Sequence, residues 1–192
     1  MKGEKKMGAV FSEFEVKKMG FKFKSAEAYN TVECIGSSEE EMNTKIITKS
    51  CRGVVKKKVV KGDGTGKLNV SLHMPYDIYV QAYGMELDSL IDGVKAYGQN
   101  SRHEEFSVVQ DVFDEDGNEK LKAYPSCIIE SGVVRKVENG AEEVAEIELE
   151  ISVQPDDFGN GMYEALASEL TDETVKNTWL TAFEPSLVQK SA

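Results

Sequence analysis

The sequence predicts a mainly β protein with a few short helices and a projection from a single domain. Alternation of apolar and polar residues, the periodicity of a half-buried strand, recurs along most of the chain. Turn signals that contain glycine separate these alternating segments. A hydrophobic content of 40% is low for a wholly compact globule of 192 residues, which favours one domain with an extended projection.

The alternation predicts ten strands joined by turns. Asp116-Gly117 and Asn139-Gly140 are typical hairpin turns, and the flanks of the second one show the most regular alternation. The glycine-rich residues 62–66 are expected to form a further turn, because glycine and aspartate tolerate turn conformations. The predicted strands span residues 9–16, 21–24, 31–35, 44–48, 53–60, 67–74, 106–113, 119–129, 132–138 and 144–153.

Three short helices are predicted between and after these strands. The first covers residues 75–84, since proline suits a first helical turn and glycine suits a helix end. The second lies around residues 161–170. The third begins after Thr171, carries Val175 and Trp179 at four-residue spacing, and belongs to a C-terminal helix and tail of residues 171–192.

Residues 62–67 read GDGTGK and invite comparison with a phosphate-binding loop. That loop requires G-x-x-x-x-G-K, then Ser or Thr, at the start of a helix. Here the first glycine position holds Lys61 and the hydroxyl position holds Leu68, and residues 68–74 alternate like a strand. We therefore expect a turn at this place and no bound nucleotide.

Catalytic and metal-binding patterns are absent from the sequence. The two histidines, His73 and His103, stand apart from any matching partner. The three cysteines, at positions 34, 51 and 127, match no zinc spacing, and an odd number opposes a closed disulfide framework. Charged residues interrupt the apolar part of the N-terminus, and no apolar run reaches the length of a membrane span. We expect no enzymatic activity, no cofactor, no metal and no membrane partner.

The net charge of −11 is distributed unevenly along the chain. Residues 1–67 carry a net charge of +6, and residues 68–192 carry a net charge of −17. A chain polarised in this way can associate head to tail with its own copies, because the basic part of one copy attracts the acidic part of the next.

Four stretches follow one another in an order that resembles a known family. They read GTGKLNVSLHMPYDIYVQAYGM, GVKAYGQNS, FSVVQDVFDEDGNEKLKAYPSCI and NGAEEVAEIELEISVQPD. In their layout they resemble the major tail tube proteins of long-tailed bacteriophages and of the related phage-tail-like bacteriocins. The resemblance covers most of the chain. It implies one domain over residues 1–192, with two packed antiparallel sheets arranged as a sandwich or half-barrel and with residues 37–67 as a projecting basic arm.

The resemblance also implies a structural function. Such proteins form hexameric rings that stack into the hollow tail tube through which DNA passes, and their partners include the tape-measure and terminator proteins. The expected location is the virion tail or the bacteriocin particle, after synthesis in the cytoplasm of the bacterial host. The alternatives are a related tube or tail-terminator protein and a monomeric β-sandwich binding module. The residues expected to contact a neighbouring subunit are Arg52, Lys56, Lys57 and Lys58 of the arm.

The predicted strand of residues 144–153 suggests which surface lines the tube. Its apolar residues alternate with Glu146, Glu148 and Glu150, which therefore lie on the opposite face. Three carboxylates in a row would repel their copies inside a dry joint. We expect these glutamates to line the lumen, where a like-charged wall does not hold the phosphates of DNA.

Overall fold

The computed structural model describes residues 10–190, which form one antiparallel sheet of eight strands with two short helices. The strand order is β2-β1-β5-β6-β7-β4-β3, and β8 pairs with β6. The predicted mainly β fold is confirmed. In place of the two packed sheets that were predicted, the strands form a single continuous sheet. The elements are β1 (Glu15–Phe23), β2 (Asn30–Val32), β3 (Ile35–Cys51), β4 (Val54–Leu72), α1 (Tyr76–Ala82), β5 (Phe106–Phe113), β6 (Glu119–Ile129), β7 (Ile147–Gln154), β8 (Tyr163–Leu166), α2 (Glu173–Ala182) and a 3-10 turn (Pro185–Val188).

The sheet curls into a half-barrel, so its edge strand β3 faces strands that are distant in the sheet order. Gln110 Nε2 on β5 donates a hydrogen bond to Ser38 Oγ on β3, at 2.8 Å. Lys122 Nζ on β6 donates to Glu40 Oε1 on β3, also at 2.8 Å. These contacts cross the interior of the half-barrel, because neither β5 nor β6 is a neighbour of β3 in the sheet.

Apolar side chains cover the inner face of the sheet and the part of the outer face that lies against α2, and each of these surfaces packs against one helix. The inner face and α1 form the larger core, in which Val108 and Tyr124 are fully buried. The outer face packs against α2 through Val109 and Leu121. Alternation along β5 explains this division, because successive residues of a strand point to opposite faces. Trp179 Nε1 fixes α2 by donating to the backbone oxygen of Lys122 at 3.1 Å.

Some of the predicted elements match the structure closely. Strands β5 and β6 have the predicted bounds and are joined through the predicted turn at Asp116-Gly117. The first and third predicted helices correspond to α1 and α2, and Asp172 caps α2 by accepting from the backbone N–H of Thr174.

The predicted hairpin around Asn139-Gly140 is wrong. Residues 131–146 form a loop, and β7 begins only at Ile147. The neighbours of β7 are β6 on one side and β4 on the other. Residues 132–138 therefore find no free edge of β7 with which to pair, despite their strand-like sequence.

The predicted turn at residues 62–66 is also wrong, because β4 continues through this segment. The turn between β3 and β4 lies instead at Arg52-Gly53. Near Asn43, the register shifts so that β4 bulges outward, and Asp63 Oδ1 accepts a hydrogen bond from the backbone N–H of Thr65 at 3.0 Å. Gly64 in this bulge has φ +81, and a Cβ there would lie 2.8 Å from the backbone oxygen of Gly159. The glycine allows a close contact between two backbones, not a chain reversal.

Three further predictions need correction. Residues 161–170 are not a helix, since β8 pairs there with β6. The predicted strands 9–16 and 21–24 are replaced by β1, which runs without interruption from Glu15 to Phe23; residue 9 lies outside the described residues. This happens because β5 pairs with β1 along its whole length.

Candidate functional site

The arm of residues 37–67 has a base inside the sheet and a long free part. Of the β4 residues that pair with β7, Gly66 lies nearest the tip of the arm, so β7 no longer flanks β4 on the tip side of Gly66. On the tip side of Gly66, the β3 and β4 segments within residues 43–65 pair with each other and with no other strand of the described residues. We call residues 43–65 the free ribbon. Strand β3 sets its length, because β4 carries extra residues where the register shifts. The nine steps from Met42 to Cys51, at about 3.3 Å per residue, extend about 30 Å from the sheet.

The free ribbon is basic and also exposes apolar side chains. Residues 44–61 contain seven basic residues and no acidic residue. Arg52 occupies the tip with φ +50, a position where Asn is the more usual residue of such a turn. Lys56, Lys57 and Lys58 are exposed on β4. The structure thus places all four predicted contact residues on the ribbon, and their contact with a neighbouring subunit stays a prediction. The exposed large apolar residues of the ribbon are Ile46, Ile47, Val54, Val55 and Val60.

Two of the three glutamates predicted to line a lumen share one exposed face of the sheet. Glu148 and Glu150 lie opposite Ser71 and Asn69 of β4. Glu146 precedes β7, and its carboxylate turns back to accept a hydrogen bond from Ser71 Oγ. Because residues paired across strands share a face, Glu148 and Glu150 form a row on one face of the sheet. Glu146 lies at the end of this row, before β7 begins. Their position in a lumen stays a prediction.

Sequence reasoning missed two carboxylates that belong to the same face. Glu39 and Glu41 on β3 pair with Asn69 and Lys67 of β4, which places them beside the β7 glutamates. We call Glu39, Glu41, Glu148 and Glu150 the acidic face. Strand alternation in residues 37–42 predicts that Glu39 and Glu41 share one face and that Glu40 points to the other. In the structure, Glu40 points to the interior and contacts Lys122.

Lys122 forms a charged network at one end of the barrel interior. Its side chain is 2% exposed, and its Nζ lies 2.8 Å from both Glu13 Oε1 and Glu40 Oε1. Tyr124 Oη also donates to Glu40. The network lines a cavity of about 490 Å³ between β1, β3 and β6. It joins the segment before β1 and the base of the arm to the centre of the sheet.

Burial and neighbouring charges have opposite effects on the pKa values of Glu13 and Lys122. Burial raises the pKa of Glu13, but the hydrogen bonds and positive charges of Lys122 and Lys120 outweigh it and leave the pKa below its ordinary value. Burial lowers the pKa of Lys122, and Glu13 and Glu40 more than reverse that effect. Burial and the negative Glu40 both raise the pKa of Tyr124. The network is therefore an ammonium group held between two carboxylates.

A second buried carboxyl group lies on the outer side of β5. Asp111 is 7% exposed, and its Oδ1 has no hydrogen-bond partner within residues 10–190. Burial and the neighbouring negative charge of Glu119 raise the pKa of Asp111 to about 6. Asp111 therefore retains its proton into the weakly acidic range.

Of the remaining candidate residues, His103 is held in structural contacts. His103 places Nδ1 2.7 Å from the backbone oxygen of Ile129 and Nε2 3.0 Å from Tyr97 Oη. Among residues 10–190, no three His, Cys, Asp or Glu side chains are grouped so that they could hold a metal ion. No helix in that part of the chain is long and apolar enough to cross a membrane. Cys34, Cys51 and Cys127 are free, and only the last is buried.

Comparison with known proteins finds similarity in structure alone. No family model and no curated protein sequence matches this chain. The cryo-EM structure of the anti-feeding prophage cap, the AFP tube terminating cap, is similar with a TM-score of 0.48 and 10% identity, over 86% of this chain and 99% of that chain. The cryo-EM structure of the anti-feeding prophage baseplate, 6-fold symmetrised, has a TM-score of 0.47 and 9% identity, over 85% of this chain and 100% of that chain.

Proposed function

We propose that this chain is a structural subunit of a phage-tail-like tube, and that copies of it associate through the arm. The observation that carries the proposal is the free ribbon, which extends about 30 Å from the sheet. Apart from the contact of Gly64 with Gly159 at its base, it pairs with no other strand of the described residues. A two-stranded ribbon is marginally stable in water unless something packs against it. Its exposed isoleucines and valines and its uncompensated positive charge favour contact with an acidic partner.

The finer form of the proposal is a stack of hexameric rings around a lumen for DNA. An interface between unlike surfaces can close as a ring in one direction and stay open along an axis, as a tube requires. The acidic face would line the lumen, because its like-charged carboxylates do not retain phosphates. The partners would be tape-measure and terminator proteins in a virion or bacteriocin tail. Neither a cofactor nor catalysis is part of this function.

A tail-terminator protein is the second candidate of the same class. It would use the same fold to close the end of a tube, so purified protein would stop at a single ring. The free ribbon argues against a monomeric binding module, since such a module gains nothing from an unsupported ribbon with exposed valines.

Negative-stain electron microscopy of concentrated protein tests the proposal. Tubes with a central lumen support a tube subunit, single rings support a terminator, and monomers across a range of salt concentrations contradict both. The variant Lys56→Glu, Lys57→Glu, Lys58→Glu should remain folded, because these side chains are exposed, and should assemble only at a concentration about tenfold higher or more. The matched control reverses three lysines outside the arm, Lys18, Lys24 and Lys190, and should assemble as the parent does.

A further inference from the structure

The loop of residues 131–146, which we call the acidic loop, has the properties of a docking surface. Its root is fixed, because Val133 packs against the inner core and the Arg135 guanidinium lies 4.4 Å from the centre of the Tyr79 ring. Its outer part is open to solvent. Val134, Val137 and Val144 are 63%, 88% and 82% exposed.

The charge of the acidic loop is complementary to that of the free ribbon. Residues 137–146 contain four glutamates and no basic residue, whereas residues 44–61 contain seven basic residues and no acidic residue. Both segments also expose valines between their charges. The two surfaces therefore match in charge and in apolar character. Opposite charges speed the encounter of two copies, and apolar side chains are then buried in the interface.

The two surfaces lie at opposite ends of the molecule. Along β4, Leu72 pairs with Ile147, which directly follows the acidic loop, and Gly66 pairs with Val153, where the free ribbon begins. Leu72 and Val54 pair with Ile35 and Cys51 of β3, and the 16 steps between those two β3 residues separate the ends by about 50 Å. The ribbon therefore extends away from the acidic loop of its own chain and can meet only the loop of another copy.

We propose that the acidic loop receives the free ribbon of a neighbouring copy of this chain. The inference rests on the proposed function and adds the receiving surface to it. The free ribbon and the acidic loop lie at opposite ends of one copy, so each added copy leaves one ribbon or one loop unoccupied. The same contact can therefore repeat from copy to copy without forming a closed dimer. The strand-like sequence of residues 132–138 and 141–146 pairs with no strand within residues 10–190, and the incoming ribbon covers it.

A charge-exchange experiment tests the receiving surface. One variant carries Lys56→Glu, Lys57→Glu and Lys58→Glu in the ribbon, and the other carries Glu138→Lys, Glu142→Lys and Glu143→Lys in the acidic loop. Each alone should raise the concentration needed for assembly about tenfold or more, and an equimolar mixture should restore assembly, because each ribbon then meets a loop of opposite sign. The control Glu27→Lys, Glu115→Lys, Glu169→Lys changes the charge equally at other exposed acids and should assemble as the parent does.

The outcomes separate this inference from the function on which it rests. Parent protein that stays monomeric overturns the proposed function and this inference with it. Assembly that is lost in the ribbon variant but kept in the loop variant overturns the inference alone. If the charge-reversed loop fails to fold, Val134→Ser with Val137→Ser and Val144→Ser replaces it, since these exposed valines have little role in the core.

Cross-linking locates the contact directly. Cys51 is exposed next to the ribbon tip, so a Cys34→Ser background leaves it as the one exposed native thiol in the described residues. Val134→Cys, Val137→Cys or Val144→Cys, introduced singly, should give a ladder of covalent oligomers on mild oxidation of assembled protein. Phe158→Cys, an exposed site near the base of the ribbon, is the control and should give none. No ladder from any of the three loop positions overturns the inference.

Discussion

Lys122 shows how a single charged side chain joins distant parts of this chain. Its ammonium group holds Glu13, from the segment before β1, and Glu40, at the base of the arm. The nearer of these partners is 82 residues away in the sequence, at Glu40. A buried charge is stable only while its partners remain, so the three side chains act as one unit.

We expect Lys122→Met to lower the free energy of unfolding by about 2 to 3 kcal/mol, because it removes the buried ammonium group and leaves Glu40, at 27% exposure, without the cation it pairs with. Urea denaturation followed by circular dichroism measures the loss. Lys120→Met is the matched control, since Lys120 is 16% exposed and pairs with Glu13 and Glu164, and it should cost less than about 1 kcal/mol. An equal loss in both variants would contradict the special role of Lys122.

Asp111 makes stability depend on pH in the opposite sense to an ordinary salt bridge. Its folded pKa of about 6 lies above the ordinary value of 3.8, so its contribution is fully present only below pH 3.8 and is lost as the pH rises from there through about 6. Asp111→Asn should therefore match the parent near pH 3 and exceed its free energy of unfolding by about 2 to 3 kcal/mol at pH 8. Denaturation curves at pH 3, 6 and 8 test this, with Asp116→Asn as the exposed control. A constant difference at all three values would refute the explanation.

At the scale of elements, the same turn signal succeeded once and failed once. Asp116-Gly117 joins β5 to β6 because those two strands pair with each other. Asn139-Gly140 has equally strand-like flanks, but β4 and β6 occupy both edges of β7. Sequence alternation predicts that a segment has two faces, and it cannot predict which strand takes an edge first.

The prediction of a turn in the glycine-rich segment of β4 was wrong for a related reason. Glycine allows a turn, but it also allows two backbones to touch, and only the loop around Gly159, which is distant in sequence, decides between these uses. Among the candidate site residues, the basic cluster could be recognised from the sequence because its charges are consecutive. The acidic face could not, because Glu39 and Glu148 become neighbours only through the pairing of β3, β4 and β7.

We expect Gly64→Ala to lower the free energy of unfolding by about 1 to 3 kcal/mol, because the new Cβ would strain a backbone at φ +81 and press against Gly159. Gly62→Ala in the same segment is the control. A Cβ at Gly62 meets no described atom within 4 Å, and this variant should change stability by less than about 0.5 kcal/mol. Thermal unfolding of both variants measures the difference, and equal melting temperatures would refute the close contact.

At the scale of the whole molecule, charge is arranged by position as well as by sequence. The basic ribbon leaves one end, the acidic loop lies at the other, and the acidic face covers strands β3, β4 and β7 between them. A stack of such molecules would place ribbons against loops and leave the acidic face for a surface that meets solvent or DNA.

We expect Glu148→Lys with Glu150→Lys to preserve tube assembly but to make the tubes retain DNA, because lysines on the lumen wall would contact phosphates. Co-sedimentation of short DNA fragments with preformed tubes measures retention, which added salt should relieve. Lys substitutions at Glu115 and Glu169, outside the acidic face, provide the control. DNA retention by the control to the same extent, or tubes of the first variant that retain none, would place the acidic face elsewhere than the lumen.

The unsupported ribbon has a consequence for the timing of order in this protein. Hydrogen bonds between its two strands are open to water on every side, so before assembly their opening requires much less free energy than that of the central strands. Docking would close those openings and slow amide exchange along residues 43–65 at the moment a neighbour arrives. The most projecting part of the chain would then be the last part to become rigid, and each newly docked copy would complete its own folding on the surface of the next.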